Sequence, residues 1–117
     1  MATPSPQSER RRAVRALADF PVRLSEGKGT EPAILRDISE IGLACVSPEP
    51  IEEMTLVGID FSLPGASEVH HVKGAVVRCE ALPKSRARFD LAIYFTEMTP
   101  VTRAALRNYV GKAKKAP

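Results

Sequence analysis

Tryptophan is absent from the sequence, and its aromatic residues are four Phe and two Tyr. So few rings argue against a stacking platform for single-stranded nucleic acid. Histidine and cysteine are equally scarce, at two each. Cys45 and Cys79 stand alone, with no CxxC and no ligand spacing to His70 or His71. On a strand, neighbouring histidines point to opposite faces and cannot share a metal ion. No metal site and no Ser–His–Asp or Cys–His arrangement is expected. Lone cysteines without a pairing pattern read as buried, reduced thiols of a cytoplasmic protein. No apolar run approaches the ~20 residues that span a bilayer, so no membrane insertion is expected. Arg15 and Asp19 interrupt any apolar region behind the N-terminal arginines, which excludes an export signal there. A glycine-rich phosphate loop is missing too, against a nucleotide-hydrolysing enzyme. The expectation from these absences is a protein without catalysis.

What is present fits one domain in 117 residues, 44% of them hydrophobic. Ten Pro and seven Gly interrupt the chain often and favour short strands over long helices. Lys plus Arg outnumber Asp plus Glu by 17 to 14, a net charge of +3. That excess is too small to imply nucleic-acid binding. Its distribution matters more. Arg10, Arg11, Arg12 and Arg15 crowd the start and suit an anionic partner, while Lys112, Lys114 and Lys115 near the end read as a solvated face.

Residues 1–8 are rich in Pro, Ser and Thr and read as a disordered segment. Glu9 to Asp19 forms an arginine-rich arm, helical or extended. Phe20, Val22 and Leu24 then alternate with polar or small residues, and Gly27-Lys28-Gly29 turns the chain. Ala33 to Ile38 and Leu43 to Val46 are the next strands, joined tightly through Asp37 to Gly42. Val57, Ile59, Phe61 and Leu63 alternate up to Pro64-Gly65. Val69 to Cys79 is a long strand with Gly74 marking a bulge or a close approach. Phe89, Leu91, Ile93 and Phe95 repeat the period of two. The period then changes: Thr99 caps a helix, Pro100 takes its first position, and Ala105, Leu106, Tyr109, Val110 and Ala113 form its apolar stripe. The predicted domain runs over 9–113, with a basic tail at 114–117. The strand spacing predicts a mainly β fold, a small antiparallel barrel with a C-terminal helix and a flexible N-terminal arm.

Two short motifs stand out by order and context. Arg11 to Arg15 reads RxxxR just ahead of the first strand, and Asp37 to Gly42 reads DxSxxG between the second and third. Each has a second match. Arg103 and Arg107 repeat RxxxR inside the predicted helix, where a solvated face is the simpler reading. Asp60 to Gly65 repeats DxSxxG, but a polar loop follows Gly65, whereas Leu43-Ala44-Cys45-Val46 enters a strand directly after Gly42. Asp and Ser beside Gly also suit an ordinary turn, since both side chains bond local backbone.

The ordered set resembles the PilZ domain family over nearly the whole domain. Phe89 to Phe95 is similar to the family's final strand, and Arg103 to Val110 to its closing helix. The resemblance implies a six-stranded antiparallel β-barrel of PilZ type and a receptor for cyclic di-GMP. Carried onto matching positions, it makes Arg11 and Arg15 the pair that clamps phosphate and guanine, a task suited to the planar guanidinium fork. Asp37 would accept from guanine N–H groups, Ser39 would add a hydroxyl contact, and Gly42 would let the backbone approach the ligand. Arg10, just ahead of RxxxR, looks more like members that hold two stacked ligands. The resemblance also implies an arm that orders over the barrel on binding and relays the signal to an unidentified effector in motility, pili, exopolysaccharide or virulence. A monomer or weak dimer is expected. The alternatives are a PilZ-like interaction module that does not bind the nucleotide, and a small basic nucleic-acid-binding barrel.

Overall fold

In a computed structural model, residues 14–26, 30–83 and 88–115 are described. Arg10 and Arg11, and the segment 1–8, lie outside them. Strand β1 (Ala16–Leu17) is followed by β2 (Pro21–Ser25), β3 (Thr30–Ile38), β4 (Gly42–Ser47), β5 (Leu56–Phe61), β6 (His70–Ala81), β7 (Phe89–Glu97) and helix α1 (Pro100–Lys112). All pairings are antiparallel, in the order β3-β2-β5-β6-β7-β4, and β4 returns to β3 to close a six-stranded barrel. Closure removes the unpaired edges that a small open sheet would expose.

Alternation decides which side chains fill the barrel. Val22 and Leu24, Ala33 and Leu35, Val57 and Ile59, Val72 and Val76, and Leu91 and Ile93 point inward and are buried. Leu106 of α1 joins that core. The helix buries Thr102, Leu106 and Val110, one face at a spacing of four residues. Its start is as the sequence predicts: the Thr102 N–H donates to Thr99 Oγ1 at 3.2 Å, and Pro100 occupies the first turn.

Two glycines carry the expected local roles. Gly65 has φ 82°, and the Ala66 N–H donates to Leu63 O at 3.0 Å, so Pro64-Gly65 forms the turn that ends the β5 segment. Gly74 lies at a register shift, where an added Cβ would stand 2.6 Å from Ile93 Cγ2 and 2.9 Å from Tyr94 O. A second shift in β6 falls between Val76 and Arg78, and one in β3 between Leu35 and Asp37.

Three expectations change. Ala16 and Leu17 of the arm form a strand beside β3, with Ala16 opposite Ile38 and Leu17 opposite Asp37. The lysine tail is not simply solvated, because Lys114 O accepts from the Leu17 N–H at 2.8 Å and Lys115 bridges Ala16. Lys115 Nζ also donates to Val110 O and Ala113 O, carbonyls that the helix end leaves open. Cys45 is buried as expected, but Cys79 is only half-buried, since it lies just past the second β6 shift near the strand's exposed end. Among the described residues no helix is long and apolar enough to cross a membrane.

Candidate functional site

The turn from Asp37 to Gly42 is built around one hydroxyl. Ser39 Oγ accepts from the N–H groups of Ile41 and Gly42 and donates to Gly42 O, each at 3.2 Å. The Ser39 N–H donates to Gly42 O at 2.9 Å as well. Ser39 is 0% exposed, so its hydroxyl shapes the turn from within and offers no face to solvent. It sets the turn that carries Asp37 and Gly42. Gly42 starts β4, buried, opposite Tyr94 of β7.

Asp37 leaves the end of β3 outward, its side chain 12% exposed. Strand β1 lies beside it, and this carries Arg15 to the carboxylate, with Nη1 3.8 Å from Oδ1. That separation is an ion pair rather than a hydrogen bond. The second arginine of RxxxR and the first residue of DxSxxG therefore share one place on the barrel's outer face. The structure brings Arg15, Asp37, Ser39 and Gly42 together; Arg10 and Arg11 are not among the residues it describes.

Register adds a group that motif reading missed. Asp37, Ala44, Ala92 and Arg78 lie in one row across β3, β4, β7 and β6. The next row holds Ile34, Val46, Asp90 and Glu80. The methyl side chains of Ala44 and Ala92 keep this face low, so long side chains from both flanks can lean across it. Arg36 Nη1 reaches Asp90 Oδ1 at 2.7 Å, and Arg78 Nη2 reaches Asp90 Oδ2 at 3.0 Å. The hydrogen bond to Asp90, then its charge, holds the Arg36 guanidinium above its ordinary range, and the charge of Asp37 adds to this. Two cations are thus held on the same face as Asp37 through one largely buried carboxylate, Arg36 next to it in the chain and Arg78 at the far end of its row. Arg36 adjoins Asp37 in the sequence and could have been noticed there. Arg78 and Asp90 became neighbours of the motif only once strand order and register were known.

The second motif matches fall elsewhere. Asp60 sits within β5, and its Oδ1 is 2.6 Å from His71 Nδ1. Arg103 is exposed on α1. Arg107 is also largely exposed, but its Nε donates to Glu40 Oε1 at 3.1 Å, tying the helix to the DxSxxG turn. His70 and His71 point to opposite faces; His70 is buried against Thr102 Oγ1 at 2.9 Å, and His71 is exposed.

A family model, PilZ domain, matches residues 9–112. No curated protein matches significantly. Among solved structures, the chain is similar to the Bacillus subtilis inhibitor of motility MotI/DgrA, with a TM-score of 0.77 and 19% identity over 94% of this chain and 56% of that one. It is similar to the PilZ domain of Escherichia coli YcgR with c-di-GMP, with a TM-score of 0.68 and 15% identity over 87% of this chain and 89% of that domain. The Borreliella burgdorferi PlzA protein in complex with c-di-GMP gives 0.60 and 12% over 82% of this chain and 39% of that protein. The chain thus spans little more than half of MotI/DgrA and less of PlzA. At these identities the structural likeness speaks for the fold, and the fold agrees with the sequence match: this chain belongs to the PilZ domain family.

Proposed function

We propose that this chain is a cyclic di-GMP receptor without catalysis of its own, and that Arg15, Asp37 and Gly42 form the described part of its site, with Arg11 and Arg10 completing it. The observation that carries the reading is the approach of Arg15 to Asp37 at 3.8 Å on a face where Arg36 and Arg78 also stand. The messenger offers two phosphodiester charges and two guanines. Arginine can grip either chemistry through its donor fork or stack on a base, and a carboxylate can accept two guanine donors at once. Binding would exchange the Arg15–Asp37 pair for Arg15 on phosphate and Asp37 on guanine, so neither charge is left uncompensated. Complexes of YcgR and PlzA with c-di-GMP support the choice of ligand.

The relay follows from where the arm is held. β1 anchors it at Ala16 and Leu17, so the ligand-dependent closure concerns the chain ahead of β1, drawn in by Arg11 and Arg10. A surface reshaped in this way would be read by a separate effector in the cytoplasm, with motility a candidate output given the likeness to MotI/DgrA.

Titration calorimetry with cyclic di-GMP tests the reading and counts ligands. Arg15→Ala and Asp37→Ala should each weaken binding by about tenfold or more, as loss of a charge-assisted contact implies. Asp60→Ala and Arg103→Ala should leave it within about twofold. No heat with the parent chain would favour an interaction module that does not bind the nucleotide. Equal losses in all four variants would refute this choice of site.

A further inference from the structure

Away from the group around Asp37, a cavity of about 500 Å³ opens between the second half of α1 and the connection from β5 to β6. Small-molecule sites run from ~300 to ~1,000 Å³ and combine an apolar body with a few placed polar groups. This cavity is built that way. Leu63 and His70, both buried, form its floor, and the half-buried Ala105 and Tyr109 form a wall. Glu68, Asn108 and Lys112 stand exposed at its rim.

His70 contributes a buried donor that lacks an acceptor. Its side chain is 4% exposed, and its ring lies against Phe61 with centroids 5.5 Å apart. Nδ1 is 2.9 Å from Thr102 Oγ1. Thr99 Oγ1 donates to that same oxygen at 3.2 Å, which leaves the Thr102 hydroxyl hydrogen for Nδ1. The network thereby assigns the imidazole proton to Nε2. Glu68 Oε1 is 3.9 Å from Nε2, too far for a hydrogen bond, and Nε2 has no other partner among the described residues. A buried N–H left unmet is costly, and an acceptor arriving from outside the chain removes that cost.

The charges at the rim narrow the ligand's chemistry. Among the described residues Glu68 has no Lys or Arg partner and Lys112 has no carboxylate partner. A simple anion would confront Glu68, and a simple cation would confront Lys112. A neutral apolar molecule would strip water from both charges and leave the Nε2 proton unmet. A zwitterion with an apolar side chain meets none of these objections.

We propose that this cavity binds a free apolar α-amino acid. His70 Nε2–H, Asn108 and Lys112 hold its carboxylate, Glu68 holds its ammonium group, and Leu63, Ala105 and the Tyr109 ring receive its side chain.

The test titrates the full isotopically labelled chain with three probes that share one branched body: L-leucine, isocaproate, which lacks the ammonium group, and isopentylamine, which lacks the carboxylate. Leucine should shift the amides of residues 66–70 and 105–113, and bind about tenfold or more tighter than either analogue. The ring nitrogen resonances of His70 should show the proton on Nε2 in the free chain, and leucine should move them. Glu68→Gln should erase most of leucine's advantage over isocaproate, and Lys112→Gln most of its advantage over isopentylamine. Ala105→Leu, which fills the cavity, should weaken leucine about tenfold or more while melting within a few degrees of the parent. The titrations contain no nucleotide, so their outcome is separate from that of the cyclic di-GMP reading. No shift with leucine, equal binding of the three probes, shifts centred elsewhere, a His70 proton on Nδ1, or a folded Ala105→Leu that binds leucine as the parent does would each overturn the proposal.

Discussion

Ser39 sits in the DxSxxG turn, and its hydroxyl is wholly engaged with Ile41 and Gly42. Taking the hydroxyl away leaves buried amide groups without their acceptor, at a cost of about 1–3 kcal/mol. Ser39→Ala should therefore lower stability by that amount in urea unfolding, and weaken cyclic di-GMP only through a loosened turn. A variant of unchanged stability that had lost its ligand would instead give the hydroxyl a direct contact. The same residue shows how far single positions can be read. Asp37 and Ser39 were legible as a turn because DxSxxG sits between two strands, and the hydroxyl of Ser39 does build that turn. Arg36, Arg78 and Asp90 were not legible as a group. Their meeting depends on β3, β4, β7 and β6 being neighbours in a particular register, and one residue of slip would send each side chain to the other face.

At the scale of elements, period-two alternation was enough to find β2, β5 and β7, whereas β4 reads as a short apolar run because it is buried on both faces. The capping threonine and following proline likewise placed α1. Two kinds of feature escaped. β1 is two residues long and has no period to detect; β3 and the C-terminal residues hold it in place. The register shifts in β3 and β6 follow from closing the barrel, and Gly74 was their sole sequence signal. Gly74 also admits a sharp test. A methyl group there would press on the Tyr94 carbonyl and on Ile93, and the carbonyl is part of the β6–β7 ladder and cannot easily give way. Gly74→Ala should destabilise the fold by roughly 2 kcal/mol despite its entropic advantage in the unfolded chain. Thermal unfolding would show it, and an unchanged midpoint would mean that the barrel relaxes there at little cost.

At the scale of the whole molecule, β1 and the described residues that follow α1 meet beside the candidate site. Leu17 donates to Lys114 O, Ala18 donates to Arg36 O at 3.1 Å, and the Tyr109 hydroxyl reaches Leu17 O at 3.4 Å, with the Tyr109 ring edge-on to Phe20. Arg15 is therefore held near Asp37 by contacts that neither motif contains. Deleting residues 114–117 removes the Leu17 acceptor and the bridge at Ala16, while the six-stranded barrel keeps all its pairings. On the proposed function, the truncated chain should bind cyclic di-GMP roughly three- to tenfold more weakly, with a melting temperature within a few degrees of the parent's, because Arg15 must then be ordered at the ligand's expense. Tyr109 gives the same latch a dependence on pH. Burial first, and the charge of Asp19 second, push its phenol above the ordinary 10.0. The folded state thus prefers the neutral phenol, so this contribution to stability is complete below pH ~10 and is lost as the pH rises through the raised value. Tyr109→Phe should remove that alkaline dependence and reproduce part of the affinity loss. If the truncation and Tyr109→Phe both bind like the parent, the contacts between the chain ends do not position Arg15, and Asp37 alone would have to recruit it.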